Sequence, residues 1–533
     1  MFGIERSAWL LAILSAILQV VIFPLPNLYM LSWVAVAPLL VAVLRARVPD
    51  TLQLRGDEKS LPANPWQGFV LGYICGILWY GGNCYWIYST MKQYGGVAAP
   101  GALGLLFLFC LYLALYHGAF GLIVGLLAKQ SLRTALVFSP FVWVALELAR
   151  TRITGFPWDL LGITQVDNIP LAKIATFTGV YGVSLEIMIV NAAIAATFVV
   201  RRSRRKPLLL ASLMAGCLLQ AGRWFPAPQV VTDHTALLVQ ENIPVLDSAD
   251  WTRQYFDVTL ADLTRISLSS PAGEQQHPGL IVWPESPAPF YGGDPLFRTA
   301  LSQLATNAHA WILAGNIGTL NASMSPQQTL QQTTEVFNSA ALITPSGEWD
   351  GRYDKIHLVP FGEYLPFKRW LSFAGGLTRE VGDFSRGISR APLEAGDQKL
   401  GIFICYESIF PDEIRQSVKQ GAQVFVNISN DGWYGDSGAY AQHLKQARMR
   451  AIENARWLLR DTNTGVTAAI DPNGRVAQSV PRKVRTALVA SYALESGTTF
   501  YTRHGDWLAY VCAIISIGAI AASLTPGKGR HTG

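Results

Sequence analysis

The chain has 533 residues, enough for about three domains at roughly 150 residues each. Half of its residues are hydrophobic and only 15% are charged, against about 25% in soluble globular proteins, which excludes a disordered chain, a fibrous one and an ordinary soluble enzyme over its whole length. The 42 Lys and Arg exceed the 36 Asp and Glu by six, and the placement of those charges decides whether the excess points to nucleic acid.

Up to about residue 222 long apolar stretches alternate with short polar ones. Candidate membrane spans cover 8–23, 29–44, 69–88, 103–127, 135–149, 171–200 and 208–222, and an eighth covers 507–524. About 20 apolar residues are needed to cross the hydrocarbon core as a helix, so a buried soluble helix competes most strongly for the first, second, fifth and seventh. Arg6 ahead of the first run resembles the start of a secretory leader. Phe23-Pro24-Leu25-Pro26 offers no small-x-small cleavage site, however, and a second apolar run follows at once, so the run is kept as a span. Gly121 and Gly125 in the fourth span fit small-xxx-small helix packing.

Lys and Arg in connecting loops favour the cytoplasmic side. Alternate loops carry 14 of them: Arg6; Arg45, Arg47, Arg55 and Lys59; Lys129 and Arg133; Arg201, Arg202, Arg204, Arg205 and Lys206; Lys528 and Arg530. The intervening short loops carry 4, namely Lys92, Arg150, Arg152 and Arg223. Eight spans with both termini in the cytoplasm satisfy this bias. The expected organisation is a membrane domain over 1–225, an extramembrane domain over 233–503 on the opposite face, and a last span with a cytoplasmic tail over 504–533. Residues 233–503 hold 23 basic and 27 acidic side chains, a net of −4, which leaves +10 for the remainder. The basic excess therefore follows membrane topology, and no nucleic-acid partner is expected.

Cys75, Cys84, Cys110, Cys217 and Cys512 lie in or beside apolar spans, where small, weakly polar residues pack between helices. Cys405 is the one cysteine of the extramembrane segment, so no disulfide can form inside it, and the thiol needs another reason.

Short β-branched or apolar runs at 235–239, 280–283, 311–314, 339–343, 400–405 and 423–428 read as strands, and 251–267, 295–308 and 440–456 as helices. Gly347 and Pro472-Asn473-Gly474 read as hairpin turns, the second joining 466–470 to 475–480. Such a mixture predicts an α/β layered domain.

Three local sequences carry chemistry: Val282-Trp283-Pro284-Glu285-Ser286; Tyr353-Asp354-Lys355-Ile356-His357-Leu358-Val359-Pro360-Phe361-Gly362-Glu363; and Gly401-Ile402-Phe403-Ile404-Cys405-Tyr406-Glu407. Strand ends of this kind line the crevice of open α/β sheets. A cysteine is a covalent nucleophile when a base takes its proton or a cation lowers its pKa. A glutamate in an apolar pocket can take and return a proton near neutrality, and a lysine stabilises charge developing on a carbonyl oxygen. Together they describe acyl transfer through a thioester. Taken singly, Cys405 is a small core residue, Glu285 and Lys355 a structural ion pair, and Glu363 a carboxylate capping backbone amides after Pro360.

The combined pattern resembles the nitrilase, or carbon-nitrogen hydrolase, superfamily, in which Glu, Lys and Cys occur in this order and context, over about residues 234 to 495. Set between seven spans and one, such a domain resembles the apolipoprotein N-acyltransferase family of the bacterial inner membrane. That likeness extends to Ser429-Asn430-Asp431-Gly432-Trp433-Tyr434-Gly435-Asp436, Gln442-His443-Leu444, Ala447-Arg448-Met449-Arg450-Ala451 and Thr462-Asn463-Thr464-Gly465, and so to nearly the whole chain.

The resemblance implies a nitrilase-like αββα sandwich held in the periplasm beside a polytopic helical membrane domain. It implies that Cys405 attacks the sn-1 ester of a phospholipid such as phosphatidylethanolamine, and that the acyl chain then passes to the α-amino group of the S-diacylglyceryl-cysteine of an apolipoprotein. Glu285 is the expected base and acid in both halves, and Lys355 the holder of the oxyanion. Glu363 is expected to support the three, Tyr406 and Glu407 to shape the pocket, and Trp251 and Asn242 to line the acyl site. The expected partners are phospholipid, diacylglyceryl apolipoprotein and membrane lipid, with a monomer, no metal and no cofactor. His443 has no metal-site spacing beside it and reads as structural.

Residues 366–390 interleave Trp370, Leu371, Phe373, Leu377 and Phe384 with Lys368, Arg369, Arg379 and Arg386, a composition suited to a lipid headgroup interface, and a mobile arm that dips into the outer leaflet is expected. Two other functions compete: a membrane-anchored amidase, which one span would serve, and a non-catalytic lipid-binding subunit, against which Glu285, Lys355 and Cys405 together argue.

Overall fold

The computed structural model describes residues 3–47, 61–199, 202–221, 230–245, 251–269, 278–285, 288, 290–320, 335–364 and 384–525. Trp370 and Phe373, with most of the expected arm, lie outside the described residues.

Among the described residues each of the eight apolar runs is mostly helical. Among the described residues four helices are long and apolar enough to cross a membrane: Ala99–Ala128, Leu132–Thr154, Val180–Val199 and Trp507–Leu524. The shorter runs differ from continuous spans for local reasons. The second consists of a turn at Tyr29–Leu31, a helix at Ser32–Ala35 and another at Ala37–Leu44. The third ends at Asn83, and a separate helix follows at Trp86–Gln93. The sixth is interrupted by Gly179, whose φ of 67° ends the short helix Ala175–Thr178 before Val180–Val199 begins.

Helix Pro65–Asn83 starts on a reciprocal cap: the Gln67 amide donates to Asn64 Oδ1 at 2.8 Å, and the Asn64 amide to Gln67 Oε1 at 2.9 Å. It packs on Ala99–Ala128 with backbones in contact. A Cβ at Gly121 would fall on the Gly68 carbonyl oxygen, and one at Gly72 on that of His117, so the small residues read from sequence are a requirement of close approach. Gly121→Val is expected to destabilise the membrane domain by about 1–3 kcal/mol, the usual cost of overpacking. Gly104→Val on the same helix, where a Cβ meets nothing within 4 Å, is the control, and melting in detergent distinguishes them.

The α/β part of the chain has these strands: β1 His234–Gln240, β2 Leu280–Trp283, β3 Trp311–Leu320, β4 Glu335–Ile343, β5 Trp349–Asp354, β6 Leu393–Ala395, β7 Gln398–Ile404, β8 Val424–Ser429, β9 Leu458–Thr462, β10 Ala468–Ile470, β11 Val476–Ser479 and β12 Thr486–Tyr492. They form two sheets, in the orders β12-β1-β2-β3-β4-β5 and β11-β10-β9-β8-β7-β6. The period of two in strand side chains sets the layers. Ala236, Leu238 and Val282 meet Ile404, Val426 and Ile428 between the sheets. Leu237, Val239 and Ile281 face outward onto Leu260, Leu263, Phe297 and Leu301 of helices Arg253–Leu268 and Pro295–Ala308. On the other side Phe403 and Phe425 meet Ile414, Val418, Ala447 and Ala451 of helices Pro411–Lys419 and Ala439–Asn454. The result is the expected αββα sandwich.

Its second helical layer rests on the membrane domain. Tyr406, Ile409, Phe410, Tyr434, Met449 and Ile452 share an apolar core with the membrane helices. Gln442 Nε2 donates to Asn83 Oδ1 at 3.0 Å, Trp158 Nε1 donates to Gln442 Oε1 at 2.8 Å, and Arg448 pairs with Asp167 at 2.7 Å.

Candidate active site

Strand direction brings the three chemical motifs to one edge. β1 to β3 are parallel, β4 runs against β3 and β5 against β4, so β2 and β5 end on the same side. Glu285 stands two residues past β2 and Lys355 directly follows β5; Cys405 directly follows β7 and Asn430 directly follows β8. Sheet geometry thus converges groups up to 145 positions apart, the Asn430 backbone amide meeting the Glu285 carboxylate.

Lys355, 1% exposed, joins two carboxylates: its Nζ donates to Glu285 Oε1 at 3.2 Å and to Glu363 Oε1 at 2.8 Å. Burial alone would favour a neutral amine, but Glu285 and Glu363 outweigh it and hold the ammonium above the usual lysine range. Asn338 Nδ2 donates to the same two oxygens, at 2.8 and 2.7 Å. The outer oxygens are also fixed, Glu285 Oε2 by the Asn430 amide at 2.8 Å and Glu363 Oε2 by the Val359 amide at 2.7 Å. Glu363 therefore does more than cap a turn: it shares the lysine and the amide with Glu285.

Cys405 is buried, and its φ of 48° places it in the left-handed region, which side chains bearing a Cβ enter at a steric cost. Burial, then the Glu285 carboxylate, push its thiol up, against the Lys355 ammonium and a Ser429 hydrogen bond. The resting sulfur is a neutral thiol and needs a base during attack.

Glu407 ties the nucleophile's turn to the lysine's turn. Its carboxylate accepts the amides of Ile404 at 2.7 Å, Ile356 at 2.8 Å and His357 at 3.1 Å, and the Tyr353 hydroxyl at 2.9 Å. Burial pushes this acid up against the Ile404 amide and the Arg390 charge. Tyr406 turns the other way, its ring beside the stacked pair of His357 and Phe410 and its hydroxyl 3.4 Å from the Gly155 carbonyl of the membrane domain. Trp251 packs against the outer apolar layer with its ring 4.9 Å from that of Tyr255. Asn242 donates from Nδ2 to the Lys483 carbonyl at 3.0 Å and from its backbone to the Asn463 carbonyl at 2.9 Å.

Asn338 is a site residue that no local motif marks: it sits inside β4, and its one signal is a polar residue in an otherwise buried run. Tyr353 lies within the Lys355 motif, but its bond to Glu407 spans 54 positions. Among the described residues no group of three or more His, Cys, Asp or Glu is placed to hold a metal ion.

The chain matches two family models, the apolipoprotein N-acyltransferase N-terminal domain over residues 15–193 and carbon-nitrogen hydrolase over residues 238–500. The apolipoprotein N-acyltransferase of Geobacter metallireducens is 34% identical, covering 98% of this chain and 96% of the relative. That of Nitrosomonas europaea is 33% identical, covering 88% and 90%. Among solved structures, a mutant amidase from Nesterenkonia sp. AN1 with acrylamide added at its active-site cysteine aligns at 18% identity and a TM-score of 0.35, covering 52% of this chain and 99% of that one.

Proposed function

The chain belongs to the apolipoprotein N-acyltransferase family, and from that membership and the site's geometry we propose that it moves an acyl chain from a phospholipid, through Cys405, to the N-terminal amine of a diacylglyceryl apolipoprotein. In the first half Sγ attacks the sn-1 ester carbonyl of phosphatidylethanolamine while Glu285 takes the thiol proton. The Lys355 ammonium faces the oxyanion. As the tetrahedral intermediate collapses, Glu285 returns the proton to the glycerol oxygen, and a lysophospholipid leaves behind a thioester. In the second half the α-amino group of S-diacylglyceryl-cysteine attacks the thioester. Glu285 takes its proton and passes it to the departing sulfur, so that an amide and the free thiol result.

The observation that carries this reading is the buried cluster of Glu285, Lys355, Glu363 and Asn338, at the sandwich edge from which Cys405 emerges. Two carboxylates around one ammonium let one of them cycle a proton while the site keeps a cation. The docking of the Cys405 turn on the apolar helices supports a water-insoluble donor. The loop-charge asymmetry supports eight spans with both termini in the cytoplasm and the catalytic domain in the periplasm of the inner membrane.

Incubating the purified protein with phosphatidylethanolamine and measuring its intact mass tests the first half. An acyl-sized gain is expected in the wild type and none in Cys405→Ala. No adduct, with water-soluble amides consumed instead, would make the protein an amidase.

A further inference from the structure

A buried histidine on a helix is ordinarily a satisfied core residue, and His443 of helix Ala439–Asn454 is 0% exposed. Its partners set it apart. Nε2 lies 3.0 Å from the carbonyl oxygen of Cys405; a carbonyl only accepts, so Nε2 carries the proton. On the far side of the ring Nδ1 lies 3.1 Å from Arg460 Nη2, which donates, and 3.0 Å from Asp431 Oδ1. Asp431 in turn accepts Arg460 Nη2 at 2.8 Å on Oδ2 and Ser429 Oγ at 2.8 Å on Oδ1. Asp431 and Arg460 are at most 1% exposed. The ring lies nearly parallel to Trp158, 14° apart with centroids at 6.0 Å, and Tyr434 meets it edge-on at 5.6 Å. Bonds in the ring plane and aromatic rings around it leave the imidazole one orientation.

The residue at the end of this relay has a strained backbone. Cys405 leaves β7 at a φ of 48°, and the direction of its carbonyl fixes its ψ. These two dihedrals together aim the Cα–Cβ bond and so Sγ. The geometry points to His443 as a positioning residue for Cys405: anchored by Asp431 and Arg460, it holds the Cys405 carbonyl and thereby the aim of the sulfur. This rests on the acyl-enzyme reading of Cys405. A misplacement of about 1 Å at a reacting atom costs on the order of 100-fold in rate, which sets the size of the effect.

His443→Leu fills similar volume without a donor, whereas His443→Gln keeps an N–H that can reach the carbonyl. In full-length protein in detergent, with phosphatidylethanolamine as the probe, His443→Leu is expected to slow single-turnover adduct formation by about 100-fold, with half-saturation by lipid within about 3-fold of wild type, and His443→Gln to recover to within about 10-fold. An unchanged rate in His443→Leu overturns the inference. So does a change confined to half-saturation, or a natively melting His443→Gln as slow as His443→Leu. If His443→Leu does not fold, His443→Gln decides alone by the same limit, and failure of both to fold makes His443 a structural residue. If the wild type gives no adduct, the acyl-enzyme reading fails instead. Alkylation of Cys405 by iodoacetamide, which needs no lipid, then decides: slowing by about 10-fold or more in His443→Leu supports the positioning role, and an unchanged rate overturns it.

Discussion

Glu285→Gln is expected to slow thioester formation by about 10³-fold or more, near the upper part of the range for a general base. The substitution keeps shape and removes the proton acceptor, while burial holds the Cys405 thiol in its neutral form. The surroundings also dictate how the new amide sits. The Asn430 amide donates to Oε2, while Lys355 and Asn338 donate to Oε1. A glutamine has one acceptor oxygen, so its NH₂ must face a donor, at a cost of about 1–3 kcal/mol for the unmet bonds. The expected result is a folded protein with a modestly lower melting temperature and almost no adduct. Adduct formation at the wild-type rate would remove Glu285 as the base.

Lys355→Met is expected to combine two losses. Removing the charge that faces the oxyanion should slow the chemical step by about 10²–10³-fold, as for the loss of one preorganised donor. It also leaves Glu285 and Glu363 buried against each other with Asn338 as their shared donor, and removing one partner of a buried charge cluster typically costs about 3–5 kcal/mol. Melting should therefore fall further in Lys355→Met than in Glu285→Gln. Lys355→Arg keeps the charge but is expected to recover stability more than rate, because a planar guanidinium cannot converge on both Oε1 atoms as an ammonium does. Equal melting of the methionine variant and the wild type would contradict the proposed cluster; equal rates would remove Lys355 from catalysis.

The legible part of this protein lay in strand ends and loop charges. Short apolar runs that terminate in Glu285 and Cys405 read as sheet edges without any tertiary information, because an apolar strand followed by a polar residue is a local signal. The partners that fix those side chains were not local. Asn338 lies within β4 and donates across the sheet edge to residues 53 and 25 positions away. β9 escaped notice because Arg460 and Asp461 break its apolar pattern, and both are fully buried in the fold. His443 read as structural because its significance depends on Cys405, 38 positions away. In the membrane domain the apolar runs mark helices, but hydropathy could not locate the break at Gly179, which depends on a positive φ and the Tyr501 ring packed over it. Gly121 announced close packing, while its partner Gly68 could be identified only from the backbone approach.

In the proposed reaction one cysteine, Cys405, carries the acyl group from lipid to amine. The isolated acyl-enzyme, freed of phospholipid, can be mixed with an S-diacylglyceryl-cysteine peptide and both masses followed. The expected result is return of the protein to its unacylated mass, at the same rate at which the peptide gains one acyl group resistant to hydroxylamine, as an amide is and a thioester is not. Release of the chain as free fatty acid with the peptide unchanged, or acylation of the peptide by Cys405→Ala, would contradict it.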